Sequence, residues 1–159
     1  MEMEYLFTSL TILIGAFVAF IAYQQCRLSA EKFKLDLFEK RFSVYKGTQV
    51  FLSYILKEAK FELEQLFQFR ADTQDAVFLF DEDITDYLKE IDSKALELWS
   101  LQKTLEGVSR GEERTRLCQK ETELLTWLTD QLPKLKEVFS PYLKFRTWKY
   151  RCIARFFAP

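Results

Sequence analysis

Apolar residues are concentrated at the start of the chain, and their run predicts a membrane-spanning helix. Tyr5 to Tyr23 is almost wholly apolar or small, and no charged residue occurs between Glu4 and Arg27. Nineteen helical residues extend about 28 Å, which is close to the thickness of the hydrocarbon core of a bilayer. A tyrosine stands at each edge, where amphipathic rings favour the headgroup level. Residues 5–23 are therefore predicted to form a single transmembrane helix.

Three other interpretations of this segment fit less well. A cleaved signal peptide has a basic n-region, whereas Glu2 and Glu4 come before this apolar run. A lipoprotein signal would place small residues directly before the cysteine, but two glutamines precede Cys26. A buried core helix is usually shorter and carries polar residues on one side. The segment is therefore interpreted as an uncleaved anchor.

After residue 27 the apolar positions recur at intervals of three and four, which is typical of helices and not of strands. The first helix carries this pattern at Leu35, Phe38, Phe42, Tyr45 and Leu52. It either continues the transmembrane helix to about residue 57 or is separated from it by a break near residues 26–29. The pattern predicts a shorter helix at residues 61–74. It predicts a loop at residues 72–80, with apolar side chains that enter the core.

Two longer helices are predicted next. The first covers residues 81–107, with Asp81 as its N-cap and Gly107 as its stop. Its apolar positions are Ile84, Leu88, Ile91, Leu96, Leu98 and Leu101. The second begins at a capping box formed by Ser109 and Glu112 and ends at Pro141. Its stripe is Leu117, Leu124, Leu125, Trp127, Leu128, Leu132, Leu135 and Val138.

Pro133 lies inside the last predicted helix and should kink or divide it. Three or four helices with short connections pack naturally as an antiparallel bundle. The predicted fold is therefore all-α, with a transmembrane helix at residues 5–23 and a helical bundle at residues 27–143. Residues 144–159 form a basic aromatic tail.

Three stretches of this region carry a resemblance: KLDLFEKRFSVYKGTQVFLSYIL, AVFLFDEDITDYLKEI and GEERTRL. They resemble a family of small bacterial proteins of uncharacterised function, which have a hydrophobic amino-terminal segment followed by a helical domain. The resemblance covers roughly residues 32–143. It implies a bacterial origin and an all-helical domain, and it implies no activity and no functional residues.

Composition argues against catalysis. The chain has no histidine, which removes the commonest general base and the commonest metal ligand. Cys26, Cys118 and Cys152 lie far apart and form no CxxC pair, which is typical of free thiols in a reducing compartment. Only four glycines occur, and they form no phosphate-binding loop. No catalytic, cofactor-binding or metal-binding residues are therefore predicted, and no cofactor is expected.

Charge is distributed in blocks and predicts the orientation of the anchor. Glu2 and Glu4 precede the span, whereas Arg27, Lys32 and Lys34 follow it. The positive-inside rule then places the amino terminus outside and the rest of the chain in the cytoplasm. Together with the resemblance, this predicts a single-pass protein of the inner (plasma) membrane.

Within the span, Thr11, Gly15 and Ala19 repeat at four-residue intervals. Small residues at this spacing let two transmembrane helices approach closely, so one interpretation is a homodimer contact. The other interpretation is that small residues are simply common in such helices. Both alternatives stay open at the level of sequence.

Two further groups of charged residues have alternative interpretations. Asp81, Glu82, Asp83, Asp86, Glu90 and Asp92 form an acidic run. The run lacks the glycine that a calcium loop has at its sixth position, which favours a solvated helix start. Arg41 and Tyr45 are interpreted either as a partner surface or as part of a solvated helix face with local ion pairs.

The tail that follows the bundle combines cations with aromatic rings and has no acidic residue. The candidate membrane-interface residues are Lys144, Arg146, Trp148, Lys149, Arg151 and Arg155. Such a segment suits the headgroup zone of an anionic leaflet. Packing of the tail on the acidic bundle is the second interpretation. Contact with nucleic acid is the third, and no nucleic-acid partner is expected.

These features predict a membrane protein whose cytoplasmic domain acts by binding, as a scaffold, sensor or accessory subunit. The expected partners are the lipid bilayer, a second copy through the transmembrane helix, and an unknown protein. One alternative is a phage-type or envelope protein with its bundle in the periplasm. A carboxylate- or cysteine-based enzyme is a further and less favoured alternative.

Overall fold

The computed structural model of the protein describes the backbone of residues 2–144 and the side chains of residue 5 and residues 7–144. These residues form helices and no strand, which confirms the predicted all-α class. The helices are α1 (Glu2–Glu58), α2 (Leu63–Thr73), α3 (Ala76–Leu79), α4 (Glu82–Gly107) and α5 (Glu112–Leu143). The chain divides into two compact units, residues 1–40 (unit 1) and the residues from Arg41 onward (unit 2).

Unit 1 consists of the first part of α1, and its apolar side chains are exposed. The large apolar residues from Phe7 to Ile21 are between 39% and 67% exposed. Among the described residues, α1 is the one helix whose length and hydropathy fit a membrane span, with a mean hydropathy of 1.8 over the apolar window. None of that window is buried within the chain. α1 is also continuous through residues 26–29, so the break considered above does not occur.

Unit 2 is a bundle in which neighbouring helices run in opposite directions. Along α4 and α5, Tyr87 contacts Gln131, and Gln102, further along α4, contacts Glu121, which lies earlier in α5. Because sequence numbers rise on one helix as they fall on the other, α4 and α5 are antiparallel. This confirms the predicted antiparallel bundle.

The carboxyl-terminal part of α1 packs on α5 and on α2. Tyr45 makes an edge-to-face contact with Phe139 of α5, with ring centroids 5.7 Å apart. Phe51 stacks on Phe69 of α2 at 4.7 Å and meets Phe61 edge-to-face. Aromatic pairs in these geometries add about 0.5–1.5 kcal/mol each beyond the apolar area they bury. α1, α2, α4 and α5 thus pack around one core. α3 is a one-turn helix that connects α2 to α4.

The buried face of α1 in unit 2 coincides only in part with the apolar pattern seen in the sequence. The buried residues are Val44, Thr48, Phe51, Leu52 and Ile55. Of the residues in the pattern, Leu52 is buried and Tyr45 packs against the core, whereas Phe42 is 43% exposed. In α4, Leu96 is likewise 41% exposed. Sequence spacing gave the correct helical period, but apolar residues lie on more than one face of each helix, so the period alone did not select the packed face.

The start of α5 also differs from the prediction. α5 begins at Glu112 with Gly111 at the N-cap and without a side-chain cap, so the Ser109 capping box was wrong. Instead, Arg114 donates from Nη1 to the carbonyl oxygens of Val108 and Leu105, at 2.7 Å and 3.3 Å. This charged donor satisfies the last carbonyls of α4 and closes the α4–α5 connection.

The two prolines of α5 do not interrupt it. Pro133 and Pro141 both lie inside the helix, which continues to Leu143. Of the two outcomes predicted at Pro133, a kink or a division, the division does not occur, and the predicted end at Pro141 was wrong. Buried side chains on both sides of Pro133, Leu128 and Leu135, hold α5 against the rest of unit 2. Tertiary packing of this kind overrides the local preference of proline.

Residues 76–79 form a helical turn, α3, and not the predicted loop. Ala76 and Phe80, at the two sides of the turn, are 3% and 8% exposed and reach the core as expected. Val77 and Phe78 do not, because they are 61% and 85% exposed. The turn directs two consecutive apolar side chains outward, and one of them is an aromatic ring exposed to solvent.

A buried amide holds the bundle at the end of α1. Ala59 follows α1 with a φ of 52°, a left-handed conformation that costs a non-glycine residue about 1 kcal/mol. Gln102 of α4 donates from Nε2 to the Ala59 carbonyl at 2.8 Å and to Glu121 of α5 at 3.0 Å. One side chain therefore links α1, α4 and α5.

Gly47 allows α1 and α2 to approach closely. A Cβ placed on Gly47 would lie 2.6 Å from the Cβ of Asp72. Gly47→Ala gains about 1 kcal/mol of helix propensity, but overpacking costs about 1–3 kcal/mol. We expect a net loss of roughly 1 kcal/mol in the free energy of unfolding, measured by urea denaturation of the full chain in detergent.

Asp72→Gly provides the control, because it removes the opposing Cβ. In that background Gly47→Ala should no longer destabilise the bundle. An equal loss in both backgrounds would contradict the close approach of the two helices.

Candidate functional site

Arg41 marks the end of unit 2 at which the chain enters from unit 1, here called the entry end. Arg41 lies three residues before Val44 and therefore on the core-facing side of α1. Its Nε donates to the carbonyl oxygen of Leu79, the last residue of α3, at 2.9 Å. Its guanidinium carbon lies 5.6 Å from the ring centroids of Phe80 and Tyr142. One cation thus contacts α3, the α3–α4 connection and α5.

Tyr142 extends this contact to the start of α4. Its hydroxyl oxygen lies 2.9 Å from Oδ2 of Asp81 and 2.8 Å from Oδ1 of Asp83. Since the hydroxyl has one proton, it donates to one carboxylate at a time. Desolvation and the two carboxylates raise the pKa of Tyr142 well above its usual value of 10, so the hydroxyl stays protonated at neutral pH. The entry end is therefore held together by Arg41, Tyr142 and the two aspartates.

The tail begins at the same end of unit 2. α5 ends at Leu143, one residue after Tyr142, and Lys144 follows with an exposed side chain. The other candidate membrane-interface residues, Arg146, Trp148, Lys149, Arg151 and Arg155, lie outside the described residues. The position of Lys144 nevertheless fixes where the tail leaves the bundle. Both the anchor side of the chain and the tail are joined to unit 2 at the entry end.

A shallow cavity lies beside the entry end, between α2, α3 and α4, and is here called the notch. Its volume is about 270 Å³. The residues that define its floor and walls are Phe69, Arg70, Ala76, Val77, Leu88 and Asp92. Pockets for small molecules usually measure about 300–1,000 Å³, so the size of the notch suits a single aromatic side chain.

An ion pair forms one wall of the notch. Arg70 donates from Nε and Nη2 to the two carboxylate oxygens of Asp92, at 2.6 Å and 2.9 Å. This bidentate hydrogen bond raises the pKa of Arg70 further. The Arg70 guanidinium also lies 5.9 Å from the ring centroid of Phe67. The wall is therefore preorganised, with a planar cation between a carboxylate and an aromatic ring.

Three exposed apolar side chains are connected to the notch: Val77 lines it, Phe78 follows Val77 in α3, and Phe67 contacts Arg70, which also lines it. Phe67 is 55% exposed, and Val77 and Phe78 of α3 are 61% and 85% exposed. Full burial of one such side chain contributes about 1.5–3 kcal/mol. We call Phe67, Val77 and Phe78 the rim. A notch that accepts one ring and a rim of this kind can bind an aromatic segment.

The predicted dimer residues lie in unit 1. The Thr11 hydroxyl donates to the carbonyl oxygen of Phe7 at 2.8 Å, which satisfies it within its own helix. A Cβ on Gly15 would meet nothing within 4 Å, and Ala19 is exposed. The surface that carries Thr11, Gly15 and Ala19 is therefore open in the single chain. A homodimer through this surface remains a prediction.

The acidic run of α4 is bound by other side chains of the protein. The Tyr142 hydroxyl donates to either Asp81 or Asp83, and Asp92 binds Arg70. Asp86 accepts a bond from Lys89 at 2.8 Å. Over residues 2–144, no three Cys, Asp or Glu side chains converge in a geometry that would hold a metal ion. The run behaves as a helix start with local partners. Cys26 and Cys118 are free and exposed.

Sequence reasoning did not identify the residues of the entry end and the notch. Arg41 was interpreted as part of a partner surface or of a solvated helix face, but it is partly buried and donates to Leu79 within the bundle, so the solvated interpretation was wrong and the partner surface stays a prediction. A signal existed, since Arg41 is in register with Val44 and Thr48 on the buried face. The pairing of Arg70 with Asp92 had no such signal, because these residues belong to different helices.

Comparisons with models of known protein families, with curated proteins and with solved structures find no match to this chain. The contacts described above therefore carry the functional argument.

Replacement of Arg41 should destabilise the packing of the helices at the entry end. Arg41→Ala removes a charged hydrogen bond and two cation–aromatic contacts, and we expect a loss of about 2 kcal/mol in the free energy of unfolding. Arg41→Lys should recover less than half of that loss, because an ammonium group lacks the planar arrangement of N–H donors that a guanidinium has. Urea denaturation followed by near-ultraviolet circular dichroism measures both.

Lys46→Ala is the matched control, because Lys46 is exposed on the same helix and donates from Nζ to its helical neighbour Gln49, at 3.2 Å. It should change the free energy of unfolding by less than about 0.5 kcal/mol. Similar effects of Arg41→Ala and Lys46→Ala would contradict the role given to Arg41.

Proposed function

We propose that this is a single-pass protein of a bacterial inner membrane whose cytoplasmic bundle acts by binding, as a scaffold, sensor or accessory subunit. The observation that carries the proposal is the geometry of the entry end. The chain enters unit 2 at Arg41, and the tail leaves at Lys144, where Tyr142 contacts Arg41. The anchor and the tail are therefore joined to the same end of the domain.

This geometry supports contact between the tail and the inner leaflet. Residues 24–40 separate the apolar segment from Arg41 by at most about 25 Å of helix. Residues 145–159 reach about 50 Å when extended, which is enough to cover that distance. Each cation close to an anionic surface contributes about 1 kcal/mol. In this proposal Arg146, Trp148, Lys149, Arg151 and Arg155 meet lipid headgroups.

Charge and surface chemistry support the cytoplasmic placement and the binding role. Arg27, Lys32 and Lys34 follow the apolar segment, and Glu2 and Glu4 precede it. The exposed rim of unit 2 provides a surface of the kind that binds another polypeptide. The free thiol of Cys118 is compatible with a reducing compartment.

Cys118 provides a test of the orientation, because it is exposed on α5 and is present in the natural sequence. In a full-length variant carrying Cys26→Ser and Cys152→Ser, a membrane-impermeant maleimide should not label intact bacterial spheroplasts. It should label Cys118 fully after the membrane is permeabilised.

A variant with Glu2→Cys as its single cysteine is the matched control and should be labelled in intact spheroplasts. Labelling of Cys118 before permeabilisation would place the bundle in the periplasm. That result would contradict the proposal and favour the envelope-protein alternative.

A further inference from the structure

We propose that the notch and its rim bind residues 145–159, the part of the chain's own tail that follows Lys144. The surface that the tail would cover consists of the notch between α2, α3 and α4 and the exposed side chains of Phe67, Val77 and Phe78. This inference goes beyond the proposed function, because it places a second binding position for the tail on the protein itself.

Charge complementarity is the first argument. The charged side chains that line the notch itself are Arg70, Lys89 and Asp92. The excess of acidic side chains lies around it, since residues 72–92 carry eight acidic side chains and one basic residue, Lys89. Residues 145–159 carry four basic side chains and no acidic one. A strongly acidic surface repels an anionic bilayer and attracts a cationic peptide. The bilayer is therefore a poor occupant of this surface, whereas the tail is a good one.

The length of the tail is the second argument, because the tail is long enough to extend from the end of α5 to the notch. Tyr142, two residues before the tail's first cation at Lys144, donates its hydroxyl proton to Asp81 or Asp83 at the start of α4. The notch is lined by Thr85 and Leu88 of the same helix, within two turns or about 11 Å of Asp81. Fifteen residues extend up to about 50 Å, so the tail can pass around α4 and reach the notch.

Side-chain chemistry is the third argument. The tail contains five aromatic residues, Phe145, Trp148, Tyr150, Phe156 and Phe157. The notch offers an apolar floor at Phe69 and Leu88, and the rim offers Phe78, which is 85% exposed. One ring fits the cavity, and neighbouring rings cover the rim. Tail cations between these rings then face the acidic side chains of residues 72–92.

Binding of the tail to the notch would compete with binding of the tail to lipid, since both use the same cations and rings. The connection at the entry end raises the effective concentration of the tail near both surfaces, so neither contact needs high affinity.

Cysteine crosslinking tests the proposal, because the tail carries the natural Cys152. The full-length chain with Cys26→Ser and Cys118→Ser receives Gln74→Cys, at an exposed residue that lines the notch. The protein is placed in nanodiscs of neutral lipid, because anionic headgroups would compete for the tail. A short bismaleimide should crosslink residue 74 to Cys152 within one molecule.

Lys46→Cys replaces Gln74→Cys in the matched control, because Lys46 is exposed on α1 close to the entry end. We expect crosslinking at residue 74 to be about tenfold faster than at residue 46. Equal rates would overturn the proposal. Crosslinks that form only between molecules would also overturn it and assign the notch to a second copy.

A second variant changes the most exposed residue of the rim, Phe78, which lies outside the core. Phe78→Asp, made in the Gln74→Cys chain, should slow crosslinking to the rate of the Lys46→Cys control. Val50→Asp, at a residue 57% exposed on α1, should leave the rate unchanged. Circular dichroism confirms that both variants are folded. An unchanged rate for Phe78→Asp would show that the rim does not bind the tail, and the orientation of the bundle would be unaffected.

Discussion

The apolar side chains of residues 7–21 have nothing within the chain to pack against, and this constraint determines the rest of the account. Nine large apolar residues in this segment are each at least 39% exposed. Exposure of that much apolar surface to water costs on the order of 10 kcal/mol, which is comparable to the whole stability of an ordinary domain. A bilayer would remove this cost, because its core is as apolar as the side chains themselves. In the proposed placement the helical bundle is the part of the protein that faces water.

Two polar contacts hold the bundle at its two ends, and most of the core between them is apolar. Arg41 connects α1 to α3, Phe80 and Tyr142 at the entry end. Gln102 connects the end of α1 to α4 and α5 at the other end. Because buried or half-buried polar groups need specific partners, such contacts select one register among the many that apolar residues alone would allow. The register in turn places Lys144 beside the point where the chain enters unit 2.

Sequence periodicity predicted the helical class, the antiparallel bundle and the approximate bounds of four helices, because long runs without glycine or proline leave few alternatives. It did not predict which face of α1 is buried, since Phe42 and Val44 are both apolar and only packing separates them. It also missed the α3 turn, whose outward Val77 and Phe78 create the rim. The notch depends on Arg70 and Asp92, which belong to different helices, so no local pattern contains it. The tail was recognised as basic and aromatic, but its point of attachment required the fold.

The account depends most directly on the retention of the apolar segment in a membrane. Alkaline carbonate extraction of cells that express the full-length chain, followed by intact mass measurement of each fraction, tests this. The account predicts that the protein stays in the membrane pellet with the mass of all 159 residues. Recovery in the soluble fraction, or a mass that lacks the first two dozen residues, would contradict it.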